Sequence, residues 1–384
     1  MLEIKNQDLK RDFYNNIKMK DSNINKFVSE LPQKINDAKL HFNEALAHIN
    51  EYPKYKDELA IAKKIIDKST KKIEKYFKLR NPFLNILFSP LIPKILDIYI
   101  LAGEIYSRIN EEKSLEYYKI FQYYTFRNWL TIIEHQSSDV KYDYHDRKFY
   151  GVTAYKFRSC SPDLFTDLAK KQITLSKPCC MNELFDSQYS LWSRPGNLNR
   201  IIKDEKHIKM FRKSFDYYRL CSFCIDDDEN SILKNNLMWS HYANEHKGVC
   251  IRYKLMENCI SSSLSLKVHH QTCLHKIHYY NCIDKKHISV NNESINLGAL
   301  FAQKEERWEY EKESRLICFN DTTVNDRIAI PYKDGISIEA VYFGLDCSEE
   351  DKATIKKILK GKMVIYYDMK PNFEDVNKME IVSV

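Results

Sequence analysis

The hydrophobic period of this 384-residue chain changes once, and that change limits its fold more than any other feature. In residues 1–135 apolar side chains recur at spacings of three and four. Ile35, Ala38, Phe42, Ala45 and Ile49 form one such series, and Leu59, Ala62, Ile65, Ile66 and Ile73 a similar one. These spacings place side chains on one face of a helix. From residue 152 short β-branched and aromatic runs take over, and these predict strands. They are Ala154–Phe157, Ile173–Ser176, Leu220–Ile225, Val249–Tyr253, Arg315–Phe319, Ala340–Phe343 and Met363–Tyr367. Helices are predicted between them at Pro162–Lys171, Ile201–Phe215 and Glu349–Leu359. Strands outnumber helices without strict alternation, which argues for an α+β domain over residues 152–384 rather than a doubly wound one. The polar stretch from Gln136 to Gly151 reads as a linker at 136–151.

The helical part breaks at Glu51-Tyr-Pro53, Asn81-Pro82 and Ser89-Pro90. A hairpin is expected next: a helix over Ile95–Ile109, a turn at Asn110-Glu-Glu, and a helix over Lys113–Trp129. Gly103 and Tyr106 on the first helix, with Ser114, Tyr118 and Phe121 on the second, resemble a single tetratricopeptide repeat. Phe121 stands where that repeat carries alanine, and the turn is one residue short, so an ordinary helical hairpin is the alternative. Either form suits a protein partner.

Composition removes several function classes. The chain has eight glycines, none before Gly103, and neither a GxGxxG nor a Walker A pattern, which argues against a standard Rossmann enzyme or P-loop ATPase. The net charge is +7, and Lys54–Arg80 holds 10 basic against 4 acidic residues. That segment is either a solvated helix face or a patch for nucleic acid or anionic lipid. The apolar stretch 83–102 is interrupted by Pro90, Pro93, Lys94 and Asp97, so it predicts a buried helix rather than a membrane span. The 11 cysteines all lie at or after Cys160. Their odd number and the charged opening of the chain, without a secretory signal, predict reduced thiols in the cytoplasm.

Chemistry-bearing residues concentrate in a few places. The segment Asn236–Ile251 combines Trp239 and Tyr242, which offer faces for stacking or packing, with His241, a general base or a structural histidine. Gly248 turns the chain before Val249-Cys-Ile251. In Glu309-x-Glu311-x-Glu313-x-Arg315, an extended backbone would put all four side chains on one face. Three carboxylates there need a cation or a shared proton, and Arg315 is the cation at hand. A solvated helix with Glu309 and Glu313 as i,i+4 neighbours is the other reading. Asn182, Glu183 and Asp186 could join Glu311 or Glu313 around Mg²⁺, or simply cap a loop. His269, His270, Cys273, His275, His278 and Cys282 are dense but fit no standard zinc spacing, so no metal site is expected there. Cys221-x-x-Cys224 sits in a strand-like run, where alternation sends the two thiols to opposite faces.

Residues 154–384 resemble the bacterial family catalogued as domain of unknown function 2971. The motifs occur in order: Tyr155-Lys-Phe-Arg158; Leu175-Ser-Lys-Pro178 with Asn182-Glu-Leu-Phe-Asp186; Leu237-Met-Trp-Ser-His-Tyr-Ala243 with Lys247-Gly-Val-Cys250; Trp308-Glu-Tyr-Glu-Lys-Glu-Ser-Arg315; and Val341-Tyr-Phe-Gly344. Glu183 and Leu184 replace the Asp and Pro of the family pattern.

The Glu-x-Glu also resembles the acidic motif of mono-ADP-ribosyltransferases. These carry a basic or aromatic residue on an early strand, Ser or Tyr on a middle strand and glutamate on a late one. Tyr155, Lys156 or Arg158, then Ser222 or Tyr242, then Glu311 or Glu313 follow that order. The resemblance implies an enzyme that uses NAD, acting on a macromolecular acceptor as a toxin or phage-defence effector. Glu311, Glu313, Arg315 and His241 would be catalytic. Tyr155, Lys156, Arg158, Trp239, Tyr242, Asn182 and Asp186 would hold the cofactor. Two alternatives remain open at this point: a Mg²⁺-dependent nuclease and a non-enzymatic adaptor.

Overall fold

In the computed structural model of the protein, the described residues are 22–77, 92–136, 152–180, 210, 213–226, 228–256, 271–280, 301–319, 325–332, 335–372 and 379–384. They fall into a helical unit and a sheet-rich unit.

The helical unit follows its periodicity. Helix α1 (Ser22–Ala47) buries Phe27, Leu31, Ile35, Ala38, Phe42 and Ala45. It packs against α2 (Tyr52–Phe77), which buries Leu59, Ala62, Ile66 and Ile73. Ile49 falls beyond the end of α1 and is exposed. Each fully buried aliphatic side chain contributes roughly 1.5–3 kcal/mol, so these two stripes hold the pair together. The expected hairpin is present as α3 (Ile92–Ser107) and α4 (Glu111–Gln136). Gly103 lets the Tyr118 ring lie against the α3 backbone, and Ser114 Oγ donates to Gly103 O at 2.7 Å. Small residues thus bring the two helices of this hairpin close together. Among the described residues no helix is long and apolar enough to cross a membrane. The predicted breaks at Asn81-Pro82 and Ser89-Pro90, the linker residues 137–151 and most of the helix expected at Ile201–Phe215 lie outside the described residues.

The sheet-rich unit contains the strands the sequence predicts, each somewhat longer or shifted, and five more. In chain order they are β1 (Val152–Arg158), β2 (Gln172–Ser176), β3 (Tyr218–Cys224), β4 (Val249–Leu255), β5 (Gln271–Lys276), β6 (His278–Tyr280), β7 (Gln303–Glu305), β8 (Glu313–Phe319), β9 (Arg327–Pro331), β10 (Ile336–Phe343), β11 (Ile365–Pro371) and β12 (Met379–Ser383). Helices α5 (Pro162–Lys170), α6 (Glu229–Leu233), α7 (Asn236–Tyr242) and α8 (Glu349–Ile358) accompany them. The large sheet runs β12-β11-β10-β4-β1-β3-β2-β9, with β8 joined to β3 and β5, while β6 and β7 pair separately. Most pairs are antiparallel, and the β10–β11 pair is parallel with α8 between the strands. This confirms the α+β class.

Strand alternation divides the core into two layers. Ala154, Val249, Ile251, Tyr253, Val341 and Phe343 belong to one, and Tyr155, Phe157, Cys250, Ala340 and Tyr342 to the other. Cys221 and Cys224 fall in opposite layers, as alternation predicts. The sheet is continuous through β4, which matches β1 along seven register positions. Beyond β1 it forks. Strand β3 meets β1 only at Tyr155–Cys224 and meets β2 only at Ser176–Leu220. Pairing by one register position leaves strands free to diverge, and the divergence opens a cleft.

Candidate functional site in the fork of the sheet

The cleft has a volume of about 810 Å³ and is walled by β1, β2 and β3, with α7 and β9 at its margins. That is within the usual range for a pocket that holds a small molecule or dinucleotide. By alternation Lys156 and Arg158 leave β1 on the side opposite Tyr155 and Phe157. Lys156 Nζ donates to Ser222 O of β3 at 2.8 Å. One wall of the cleft is organised around Asp167 of α5, which is 5% exposed. Its carboxylate accepts from Arg158 Nη1 at 3.2 Å, Gln172 Nε2 at 3.1 Å and Thr174 Oγ1 at 2.6 Å.

A buried charge cluster reaches the cleft from the other side. Residues Glu306–Glu311 form a 3₁₀ helix, Lys312 takes a left-handed conformation (φ 47°), and β8 starts at Glu313. This path corrects the expectation of one extended face for Glu309, Glu311, Glu313 and Arg315. Glu309 lies on the 3₁₀ helix and is exposed, whereas Glu311, Glu313 and Arg315 are buried. The solvated-helix reading fails for the same reason.

Lys304 of β7 joins the two carboxylates. Its Nζ donates to Glu311 Oε2 at 2.6 Å and to Glu313 Oε2 at 3.3 Å. Glu311 Oε1 accepts from the Tyr242 hydroxyl. Glu313 is held from behind by Arg315, through Nε to Oε1 at 2.6 Å and Nη2 to Oε2 at 3.1 Å. Arg315 also donates from Nη1 to Phe301 O at 3.0 Å. It is fully buried and is not part of the cleft lining, so it meets Glu313 without facing the cleft itself. Sequence reasoning missed Lys304, which sits in a short polar segment without a motif.

This setting drives the two carboxylates apart. Burial raises Glu311, and the charge of Glu313 adds to the rise, against Lys304 and Tyr242; the result is about 7. Burial also acts to raise Glu313, but the charge and hydrogen bonds of Arg315 outweigh it, with help from Lys304, and hold it at about 2. Near neutral pH the pair therefore offers one permanent anion and one group able to gain or lose a proton. Burial, followed by the charge of Glu311, pushes the Tyr242 hydroxyl far up, so it stays a donor.

The remaining expected site residues separate clearly. Tyr155 and Tyr242 line the cleft with Lys156 and Arg158. His241 is exposed and also lines the cleft, and its Nδ1 lies 3.0 Å from the Tyr310 hydroxyl. Trp239 corrects an expectation. It is fully buried, its Nε1 donates to Leu233 O at 2.7 Å, and Phe157 meets it edge-on at 5.0 Å. It is a core residue and offers no stacking face to a ligand. Asn182, Glu183 and Asp186 lie outside the described residues, as do His269, His270 and Cys282. Among the described residues no group of His, Cys, Asp and Glu has the arrangement of a metal site.

Comparison with known proteins gives one match. No curated protein and no solved structure matches the chain. One family model does, over residues 238–316, a span that includes Tyr242, Lys304, Glu311, Glu313 and Arg315 but neither Lys156 nor Ser222. The segment from α7 into β8, which carries the buried charge cluster, is thus similar to the family described as protein of unknown function (DUF2971).

Proposed function

We propose that the cleft breaks the N-glycosidic bond of NAD and transfers ADP-ribose to a macromolecular acceptor, or to water. The observation that carries this is the buried pair Glu311 and Glu313, held by one ammonium and driven to about 7 and about 2, facing a cleft of dinucleotide size. As the bond breaks, its electron pair leaves with nicotinamide and positive charge develops on the ribose carbon. Glu313, an anion throughout, offsets that charge. Ionised Glu311 takes the proton of the incoming hydroxyl as the new carbon–oxygen bond forms. Tyr242 and Lys304 fix its orientation. Lys156 and Arg158 supply cations for the diphosphate along the β1 wall.

A Mg²⁺-dependent nuclease would need the same carboxylate oxygens for the metal. The Lys304 ammonium already lies between them, which favours the NAD reading. An enzyme that consumes NAD fits a toxin or phage-defence effector in the cytoplasm, with the helical unit binding a protein that restrains or triggers it.

The test is calorimetric titration of NAD together with an assay of nicotinamide release, in the presence of a chelator. Wild type should bind and turn over NAD. The Glu311→Gln/Glu313→Gln variant, confirmed as folded by circular dichroism, should lose turnover. Equal turnover in both, or no NAD binding by wild type, would sink the reading. Chelator-sensitive cleavage of nucleic acid would replace it with the nuclease.

A further inference from the structure

Helix α2 has a second face that its packing does not use. Lys64, Lys68, Lys71 and Lys75 are all exposed, and their spacings of four, three and four place them in one row. The buried residues Leu59, Ala62, Ile66 and Ile73 lie on the opposite side of the same helix. Like charges at these spacings repel, each pair costing about 0.2–0.5 kcal/mol. A helix that needed only solubility would alternate signs, as α8 does where Lys352 pairs with Glu349 at 2.8 Å. Two acids of α2, Asp67 and Glu74, lie beside the row, Asp67 three residues from Lys64 and four from Lys71, and Glu74 three from Lys71. Asp67 binds Lys63 at 2.8 Å and Tyr106 at 2.6 Å, and Glu58 binds His41 at 2.6 Å. Asp57 precedes the row by two turns, and Glu74 lies on its flank.

From Lys64 to Lys75 the row is about 16 Å long at the rise of an α-helix. A nucleic-acid duplex carries a charge for about every 1.7 Å of its axis, so a row of this length spans several phosphates. We propose that this face of α2 binds the phosphate backbone of nucleic acid without reading its sequence, because lysines act as point charges and no planar fork faces outward. An anionic membrane is the less suitable polyanion. A helix that lies in a lipid surface inserts an apolar face, and the apolar face of α2 is already buried against α1.

The experiment is fluorescence anisotropy of the full chain with a labelled duplex of about 20 base pairs over a salt series. Four phosphate contacts predict a slope of about −3 to −4 in log K against log salt. The Lys64→Glu/Lys68→Glu/Lys71→Glu variant should bind at least about tenfold more weakly near 50 mM salt. The charge-matched variant Lys357→Glu/Lys360→Glu/Lys370→Glu, at exposed sites of the sheet-rich unit, should bind nearly as wild type. A glutamine series at 64, 68 and 71 gives the same reading if charge reversal disturbs folding. Equal losses in both triple variants would reduce the effect to net charge and overturn the proposal. So would no binding at low salt, or binding to phosphatidylserine vesicles at least as tight and equally dependent on the row.

Discussion

Glu311 and Glu313 share the ammonium of Lys304, at 2.6 and 3.3 Å, yet titrate on opposite sides of the ordinary glutamate value. The difference lies in their second partners. Glu313 has the Arg315 guanidinium and so remains charged. Glu311 has a neutral tyrosine hydroxyl and a charged neighbour, so burial dominates.

This asymmetry predicts a pH profile. NAD turnover should rise with a single ionisation centred at about 7, and Glu311→Gln should lose that limb along with most of the rate. A rate independent of pH between 6 and 8 in wild type would contradict the assignment of the base.

Stability should follow pH in the sense set by the same two groups. Folded Glu311 keeps its proton up to about 7, whereas the unfolded chain releases it near 4.5, so stability falls as pH rises across that window. Folded Glu313 stays ionised down to about 2, so its contribution is present above 4.5 and is lost as pH falls toward 2. Urea midpoints at pH 4.5, 6 and 8 should decline less steeply in Glu311→Gln than in wild type. Parallel declines would place the buried proton elsewhere.

Lys304→Met should destabilise the fold by about 3–5 kcal/mol, because it leaves two buried carboxylates with only Arg315 between them and neutrality. Adding Glu311→Gln should recover part of that loss by removing one of the charges. Denaturant unfolding of the two singles and the double forms a cycle. A double variant whose loss equals the sum of the singles would mean that the pair does not interact.

Much of the fold was legible in periodicity, since burial on one face leaves a fixed spacing. The exact alternation that separates Cys221 from Cys224 is an example. The site was harder to read. Glu311 and Glu313 come together through a 3₁₀ turn and the left-handed Lys312, not through a uniform strand, and no alternation pattern encodes that path. Lys304 lies on a three-residue strand that gives no periodic signal, and only its pairing with β6 carries it inward. Trp239 misled for a related reason. On the short helix α7 it shares a motif with Tyr242, but the first residue turns into the core and the second toward the cleft.

Tyr242→Phe should separate orientation from charge. The hydroxyl lowers the pKa of Glu311 by its hydrogen bond, so its removal should move the midpoint of the pH–rate profile upward and cost about 1–2 kcal/mol of stability. The binding of NAD should change less than its turnover. A midpoint that stays in place would show that Tyr242 packs beside Glu311 without affecting its ionisation.

Gly248 and Gly361 offer the same substitution in two different settings. A Cβ on Gly248 would collide with the backbone carbonyls of Arg158 and Ala243, and backbone gives way less readily than a side chain. Gly248 also donates its N–H to Ala243 O at 2.7 Å and accepts from Gly344 N at 2.9 Å, so the clash would displace both the start of β4 and the end of β1. Gly248→Ala should therefore cost about 2–4 kcal/mol and weaken NAD binding through Arg158. Gly361 has open space around it but a φ of +81°, so Gly361→Ala should cost about 1–2 kcal/mol through backbone strain alone and leave the cleft unaffected. Thermal melts and NAD titrations of the two variants read both effects. If Gly248→Ala proves no worse than Gly361→Ala, close backbone approach is not what requires glycine between α7 and β4.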